Sequence, residues 1–157
     1  MNTEFTLPQR TGPKPETTNE LPHSQLTQHG PDEIVAKLHR FCFSLPEVQN
    51  EPSLISVPGA RALVFHECVE CNEKAFMVGR EFAHIHPKPD HGSMHVMLPE
   101  KDAEEVVKHG WGEDHYLVTL GKFPPGLVLV FSPRNDAELE VVQSIVKRSH
   151  EYALGRS

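Results

Sequence analysis

The sequence has 157 residues, of which 38% are hydrophobic, and this is enough for one domain with a single modest core. Its formal net charge of −7 and the absence of lysine–arginine runs longer than two residues argue against a surface for nucleic acid or anionic membrane. No apolar run reaches the length of a membrane span and no stretch reads as a signal peptide. Three cysteines without an extracellular pattern favour a reducing compartment, so we expect a cytoplasmic protein. Nothing in the sequence indicates the oligomeric state.

Two of the cysteines, Cys68 and Cys71, form a lone C-x-x-C motif that follows His66. A metal knuckle or a redox pair is one interpretation of this motif. An ordinary polar loop is the better one, because the second pair of ligands that structural zinc needs is missing.

The first 30 residues have a different character from the rest of the chain. Prolines are scattered among polar residues, and the few apolar residues follow no period, so burial cannot offset chain entropy. We predict a disordered N-terminal tail over residues 1–30 and a single domain over residues 31–157.

The domain alternates helical and strand patterns. Helices are predicted from Pro31 to about residue 44, between Pro99 and Gly110, and between Asn135 and Gly155. Strands are predicted over residues 53–57, 61–66, 75–78, 81–86, 93–98 and 126–131. This order predicts an α+β two-layer sandwich: a mainly antiparallel sheet of four to six strands with helices on one face.

Histidines concentrate in the middle of the domain. Strand side chains alternate, so His84 and His86 should share one face with Phe82, and His95 on the returning strand should come within cross-strand reach. A single histidine is more often structural, but H-x-H facing a third histidine favours a functional site. We therefore predict three imidazoles on one wall of a hairpin.

Two chemistries suit such a cluster, and the residues alone leave both open. Imidazoles near neutral pH can act as acid and base. Alternatively, His84, His86 and His95 can ligate a transition metal, with Asp90 or Glu113 as an oxygen ligand.

The long connection over residues 111–125 should supply the rest of the site through Trp111 and His115. Packing beneath the loop is the alternative for a lone tryptophan. Arg134, at the start of the last predicted helix, can bind an anion there or pair with a nearby carboxylate.

Four motifs carry a resemblance to a known family: R-E-F-A-H-I-H, D-H-G-S-M-H-V-M-L, G-W-G-E-D-H and F-S-P-R-N-D-A-E-L-E-V-V. Over roughly residues 54–153 the chain resembles the fungal luciferase domain family, which also has many uncharacterised, non-luminous members. The residues that match are Arg80, Glu81, His84, His86, His95, Gly110, Trp111, Gly112, His115, Pro133, Arg134 and Asn135.

From the match we assign two sets of site residues. The predicted catalytic residues are His84, His86, His95 and His115. The predicted substrate-binding residues are Arg80, Glu81, Trp111 and Arg134.

The resemblance implies oxidation of a hydroxylated pyrone, 3-hydroxyhispidin, by dioxygen, with a peroxide intermediate and loss of carbon dioxide. It requires no cofactor, while the histidines leave a transition metal open. The chain differs from the luminous enzymes in lacking an apolar N-terminal membrane segment, in a turn before His95 that is about one residue longer, and in having Tyr116 where proline is usual.

These differences favour a soluble family member of oxygenase type that acts on another small enolic or phenolic substrate through a histidine-lined pocket. The alternatives are a non-catalytic module that binds a metal or ligand with the same histidines, and an interaction protein in which they are incidental. A weaker likeness in fold is to MmcQ/YjbR-type domains, whose proposed DNA binding does not suit the negative charge.

Overall fold

A computed structural model describes residues 5–67 and 70–156. Within these ranges, six strands form one antiparallel sheet with the order β1-β2-β3-β4-β6-β5, which confirms the predicted α+β sandwich. The elements are α1 (Asp32–Ser44), β1 (Val48–Pro52), β2 (Arg61–Phe65), β3 (Glu81–Ile85), β4 (Met94–Met97), α2 (Glu100–Lys108), β5 (Gly112–Asp114), α3 (Tyr116–Thr119), β6 (Leu127–Val130) and α4 (Asp136–Ala153).

Three local predictions differ from the structure. The first strand is β1, which precedes the predicted residues 53–57, and residues 75–78 contribute only a bridge between Val78 and Glu81 after a 3₁₀ turn at Glu73–Ala75. The predicted connection over residues 111–125 contains both β5 and α3. β1 is a polar edge strand that pairs through its backbone, so it has no apolar alternation for sequence analysis to detect.

The two faces of the sheet are covered differently. Ala83, Val96 and Val128 lie side by side across three strands and belong to the hydrophobic core, to which α1 and α4 contribute their apolar faces. The opposite face carries another row of neighbours across the same strands, including His84 and His95. Strand alternation therefore separates a hydrophobic layer from a polar, histidine-rich layer.

Residues 5–30, which we call the N-terminal segment, differ from the predicted disordered tail. They are largely without regular structure, yet Leu7, Arg10, His23 and Gln25 are buried. Polar contacts with distant residues fix the segment, such as the bond from the amide of Ser132 to the side chain of Gln25 (2.8 Å). Such anchors have no sequence period, which explains why periodicity does not reveal them. The domain boundary at residue 30 stays a prediction.

Two other sequence predictions concern the C-x-x-C motif and membrane-spanning helices. The C-x-x-C motif includes Cys68, which lies outside the described residues. Among the described residues, no helix combines the length and the apolar character needed to cross a membrane.

Glu113 on β5 is the main anchor of the N-terminal segment. Its carboxylate binds Lys14 (2.7 Å), Thr17 (2.9 Å) and His23 (2.7 Å). Burial raises the pKa of Glu113, but the hydrogen bonds from His23, Lys14 and Thr17 outweigh burial and lower that pKa to about 2.

Replacing Glu113 with Gln should therefore destabilise the protein in a pH-dependent way. A carboxyl whose pKa is lowered on folding stabilises the folded state above its unfolded pKa, and this stability is lost as the pH falls toward the folded pKa. The free energy of unfolding should differ between wild type and Glu113→Gln by about 2–3 kcal/mol near neutral pH and converge between pH 4.5 and 2. Chemical denaturation across this range, with the exposed Glu104→Gln as control, measures the effect. A difference that is constant with pH would contradict it.

Candidate functional site

The hairpin of β3 and β4 brings the central histidines together. His84 lies directly opposite His95, and His86 follows two residues later, immediately after the end of β3. The ring centroids of the three residues are 4.4–5.0 Å apart, and all three side chains are buried. The turn that returns the chain is closed by the amide of Gly92, whose φ of +89° suits a residue without Cβ. The structure thus gathers the three imidazoles on one wall, as the H-x-H pattern predicts.

A β-bulge adds a carboxylate to this wall. The register between β2 and β3 shifts so that Leu63 pairs with Ala83 but Val64 pairs with Glu81, which leaves Phe82 as the extra residue. Phe82 packs in the hydrophobic core against Phe65, with ring centroids 5.0 Å apart, and does not share the histidine face as alternation predicts. Because of the bulge, the side chain of Glu81 reaches that face.

Glu81, His84 and His95 form a buried chain of hydrogen bonds. Nδ1 of His84 lies 2.7 Å from Oε2 of Glu81, Nε2 of His84 lies 3.0 Å from Nδ1 of His95, and Nε2 of His95 lies 2.9 Å from the carbonyl oxygen of His23. Burial raises the pKa of Glu81, but hydrogen bonds from His84, Ser53 and the amide of Leu54 outweigh burial and lower it. Glu81 is therefore an ionised carboxylate, and its oxygens accept these hydrogen bonds.

The directions of these bonds determine the charge of the histidine pair. A carboxylate and a carbonyl only accept, so Nδ1 of His84 and Nε2 of His95 each carry a proton. The two remaining nitrogens face each other at 3.0 Å, and two lone pairs repel at this distance unless a cation lies between them. A cation between these two nitrogens removes the repulsion, and the carboxylate of Glu81 lies where it can balance that charge. Burial, followed by the electrostatic influence of the neighbouring His86 and His84 rings, lowers the pKa of His95 well below its usual range.

His86 has its own fixed orientation. Its Nδ1 donates to Oγ of Ser93 (2.8 Å), because the hydroxyl of Ser93 itself donates to Asp90 (2.7 Å). Burial and the charge of His84 lower the pKa of His86 well below its usual range. His86 is therefore neutral, and its Nε2 keeps a free lone pair.

His115 and His23 complete the cluster from outside the hairpin. Nδ1 of His115 accepts from the amide of Leu117 (3.1 Å), which caps α3, so the proton of His115 is on Nε2. Burial, followed by the charges of His23 and His84, lowers the pKa of His115 to about 4 and keeps it neutral near pH 7. His23 accepts from the amide of Tyr116 (3.1 Å) and donates to Glu113.

A cavity of about 390 Å³ opens beside this cluster. Its polar lining is provided by four histidines and Ser56, and the remaining wall is mainly apolar. The lining residues are Leu21, Pro22, His23, Ile55, Ser56, Val57, Met77, His84, His95, His115, Leu117, Phe123 and Leu127. The volume suits a small organic molecule, and binding there would remove apolar surface from water.

None of the four predicted substrate-binding residues lines this cavity, and neither does the predicted catalytic residue His86. Trp111 packs in the hydrophobic core and donates to the carbonyl of Pro8 (2.7 Å), in accord with the packing alternative. Arg134 pairs with Glu138 (2.6 Å), in accord with the ion-pair alternative, and Arg80 is exposed and donates to the carbonyl of His66. Trp111, Arg134 and Arg80 are not among the residues that line the cavity.

Two histidine triads have ligating atoms within 4.8 Å of one another: His84, His86 and His95, and His23, His95 and His115. Asp90 and Glu113, the carboxylates suggested as oxygen ligands, instead accept hydrogen bonds from protein side chains. Asp90 accepts from Ser93, and Glu113 accepts from His23.

His23 is the site residue that sequence reasoning misses. It is 2% exposed, yet it lies in a proline-rich stretch assigned to a disordered tail. The only local signal is that Leu21 and Pro22 precede it, and both also line the cavity.

Comparison with known proteins finds a family model and named relatives to which the chain is similar. Residues 79–149 match the luciferase domain family model. Proteins named luciferase from Armillaria gallica and Armillaria mellea are each 29% identical over 163 residues, which is 93% of this chain and 60% of the relative. A luciferase from Neonothopanus nambi is 39% identical over 75 residues, or 46% of this chain and 28% of the relative.

The chain thus spans about 60% of the length of its Armillaria relatives. No solved structure matches it significantly. The matched region begins just before β3 and ends within α4, so it contains the hairpin histidines and His115. The family match and the named relatives agree with the sequence motifs, and residues 79–149 of the chain are similar to the luciferase domain family.

Proposed function

We propose that the protein is an oxygenase-like enzyme that oxidises a small enolic or phenolic compound with dioxygen. The observation that carries the proposal is the His84–His95 pair at the wall of an apolar cavity, whose two facing nitrogens, 3.0 Å apart, require a cation between them. The names of the relatives support the reaction class, and the geometry supports the type of substrate.

The charge favours the ionised form of an acidic substrate. An enol or phenol that enters the cavity exchanges its proton with solvent, and the resulting anion is stabilised by a cation in a site with little water. Such an anion is electron-rich enough to react with dioxygen, whereas the neutral enol is much less reactive. Glu81 lies behind His84, on the side away from His95, and so holds the charge in place without competing for the substrate oxygen.

His115 has a complementary role in this proposal. Its neutral ring presents Nε2–H as a donor, since Nδ1 already accepts from Leu117. A neutral donor near pH 7 can hold the oxygen on which negative charge develops without donating its proton outright. The mainly apolar remainder of the cavity would hold the planar body of the substrate and exclude water.

Removing either member of the charged pair should abolish turnover. With 3-hydroxyhispidin as the first substrate tested, His84→Ala and His95→Ala should lower the rate of oxygen consumption by about 100-fold or more, because each loses the cation that stabilises the anion. An oxygen electrode measures the rate, and circular dichroism verifies the fold. The exposed His66→Gln is the matched control and should retain the wild-type rate.

Substrate-dependent oxygen uptake that persists in both folded variants would remove the pair from the mechanism. If the wild-type chain consumes no oxygen with 3-hydroxyhispidin or with a panel of other enols and phenols, the enzymatic proposal fails. The non-catalytic alternative then remains.

Filling the mouth of the cavity should impair substrate binding without affecting the fold. Ile55 lines the cavity and is 49% exposed, whereas its neighbour Leu54 is 80% exposed and does not line it. We expect Ile55→Trp to raise the KM for the organic substrate at least tenfold, because the larger ring occupies space that the substrate needs. Leu54→Trp should stay within about twofold of wild type, because surface changes are usually mild. Equal effects of the two changes would show that the substrate binds elsewhere.

A further inference from the structure

We propose that His84, His86 and His95 bind one divalent first-row transition-metal ion, so that the cation between His84 and His95 is a metal ion and not a proton. The inference rests on the proposed function only for the role of the ion in the reaction. Binding of the ion itself follows from the arrangement of the three rings.

The nitrogens have the spacing of metal ligands. One nitrogen of each ring lies within 4.8 Å of one nitrogen of each other ring, and Nε2 of His84 lies 3.0 Å from Nδ1 of His95. Two nitrogens bound to one ion at about 2.1 Å, with an angle of 90–110°, lie about 3.0–3.4 Å apart. The separation of His84 and His95 therefore fits two ligands of a shared ion as well as it fits a hydrogen bond.

Each ring has one nitrogen that is held by an acceptor. His84 donates to the carboxylate of Glu81, His86 to the hydroxyl of Ser93, and His95 to the carbonyl of His23. Metal-bound histidines nearly always have such an outer partner, which fixes the tautomer and directs the lone pair of the other nitrogen to the ion. All three rings meet this condition at the same time.

A metal ion satisfies this arrangement better than a proton does. A proton can bridge His84 and His95, but it engages only these two rings and does not involve His86. A bound ion accepts all three lone pairs. Neutral imidazoles are good ligands for zinc, cobalt, nickel, copper and iron ions.

The second triad lacks free lone pairs. His23 uses Nδ1 to accept from Tyr116 and Nε2 to donate to Glu113, and His115 uses Nδ1 to accept from Leu117. An ion bound by His23, His95 and His115 would have to break several of these bonds. The structure therefore favours the triad on the β3–β4 hairpin.

An ion at this position would face the organic ligand. His84 and His95 both line the cavity, and three protein ligands leave coordination positions open. The ion would bind the enolate or phenolate oxygen directly and act as a Lewis acid in the proposed reaction.

Titration with Co²⁺ tests the site without any assay of turnover. Chelator-treated full-length protein without a histidine tag should bind one Co²⁺ per chain with visible absorption bands, and Zn²⁺ should displace it. We expect His84→Gln and His86→Gln to weaken Co²⁺ binding at least 100-fold. Ser93→Ala should weaken binding about 10- to 100-fold through loss of the outer hydrogen bond. His109→Gln, outside the cluster, should bind like wild type, and circular dichroism verifies the fold of each variant.

The outcomes separate this inference from the proposed function. Absence of stoichiometric Co²⁺ binding, or unchanged binding in folded His84→Gln and His86→Gln, overturns the metal site while oxygen uptake by wild type would still support the enzyme. Loss of binding in His115→Gln with full binding in His86→Gln would assign the ion to the other triad and overturn this one. Co²⁺ binding without oxygen uptake supports the metal site and leaves a non-catalytic module.

Discussion

The buried charge held between Glu81, His84 and His95 is the constraint on which the site depends. A charge this far from water is costly unless it is paired and hydrogen-bonded on every side. The bulge at Phe82 supplies the compensating carboxylate, and the carbonyl of His23 supplies the last acceptor. The hairpin, the bulge and the N-terminal segment are therefore linked through one electrostatic requirement.

This requirement also explains why the two faces of the sheet differ. The face under α1 and α4 is stabilised by apolar burial, which is tolerant of exchange among hydrophobic residues of similar volume. The histidine face is stabilised by directional bonds, and each donor there needs its own acceptor. Changes on the first face should act mainly on stability, whereas changes on the second should act on ligand chemistry.

Much of the fold and the centre of the site follow from local sequence rules. Alternation and a short turn suffice to place His84, His86 and His95 together, and Asn135 caps α4 as predicted. Other features depend on information that no local pattern contains. The bulge reverses the expected orientation of Phe82, and His23 arrives from a segment without periodicity. Trp111 donates to the carbonyl of Pro8, which is distant in sequence, and Arg134 pairs with Glu138 on α4. The residue type alone indicates neither of these positions.

Part of the cavity wall belongs to a segment that is separable from the sheet. Leu21, Pro22 and His23 line the cavity, yet none of them belongs to a strand of the sheet. Polar contacts, such as the one between His23 and Glu113, hold this part of the chain in place. Ligand selectivity can consequently change through this N-terminal segment alone, without any change in the β3–β4 hairpin beneath it. Exchanging the N-terminal segment between two homologues would then transfer the preference for a ligand without redesign of the sheet and its helices.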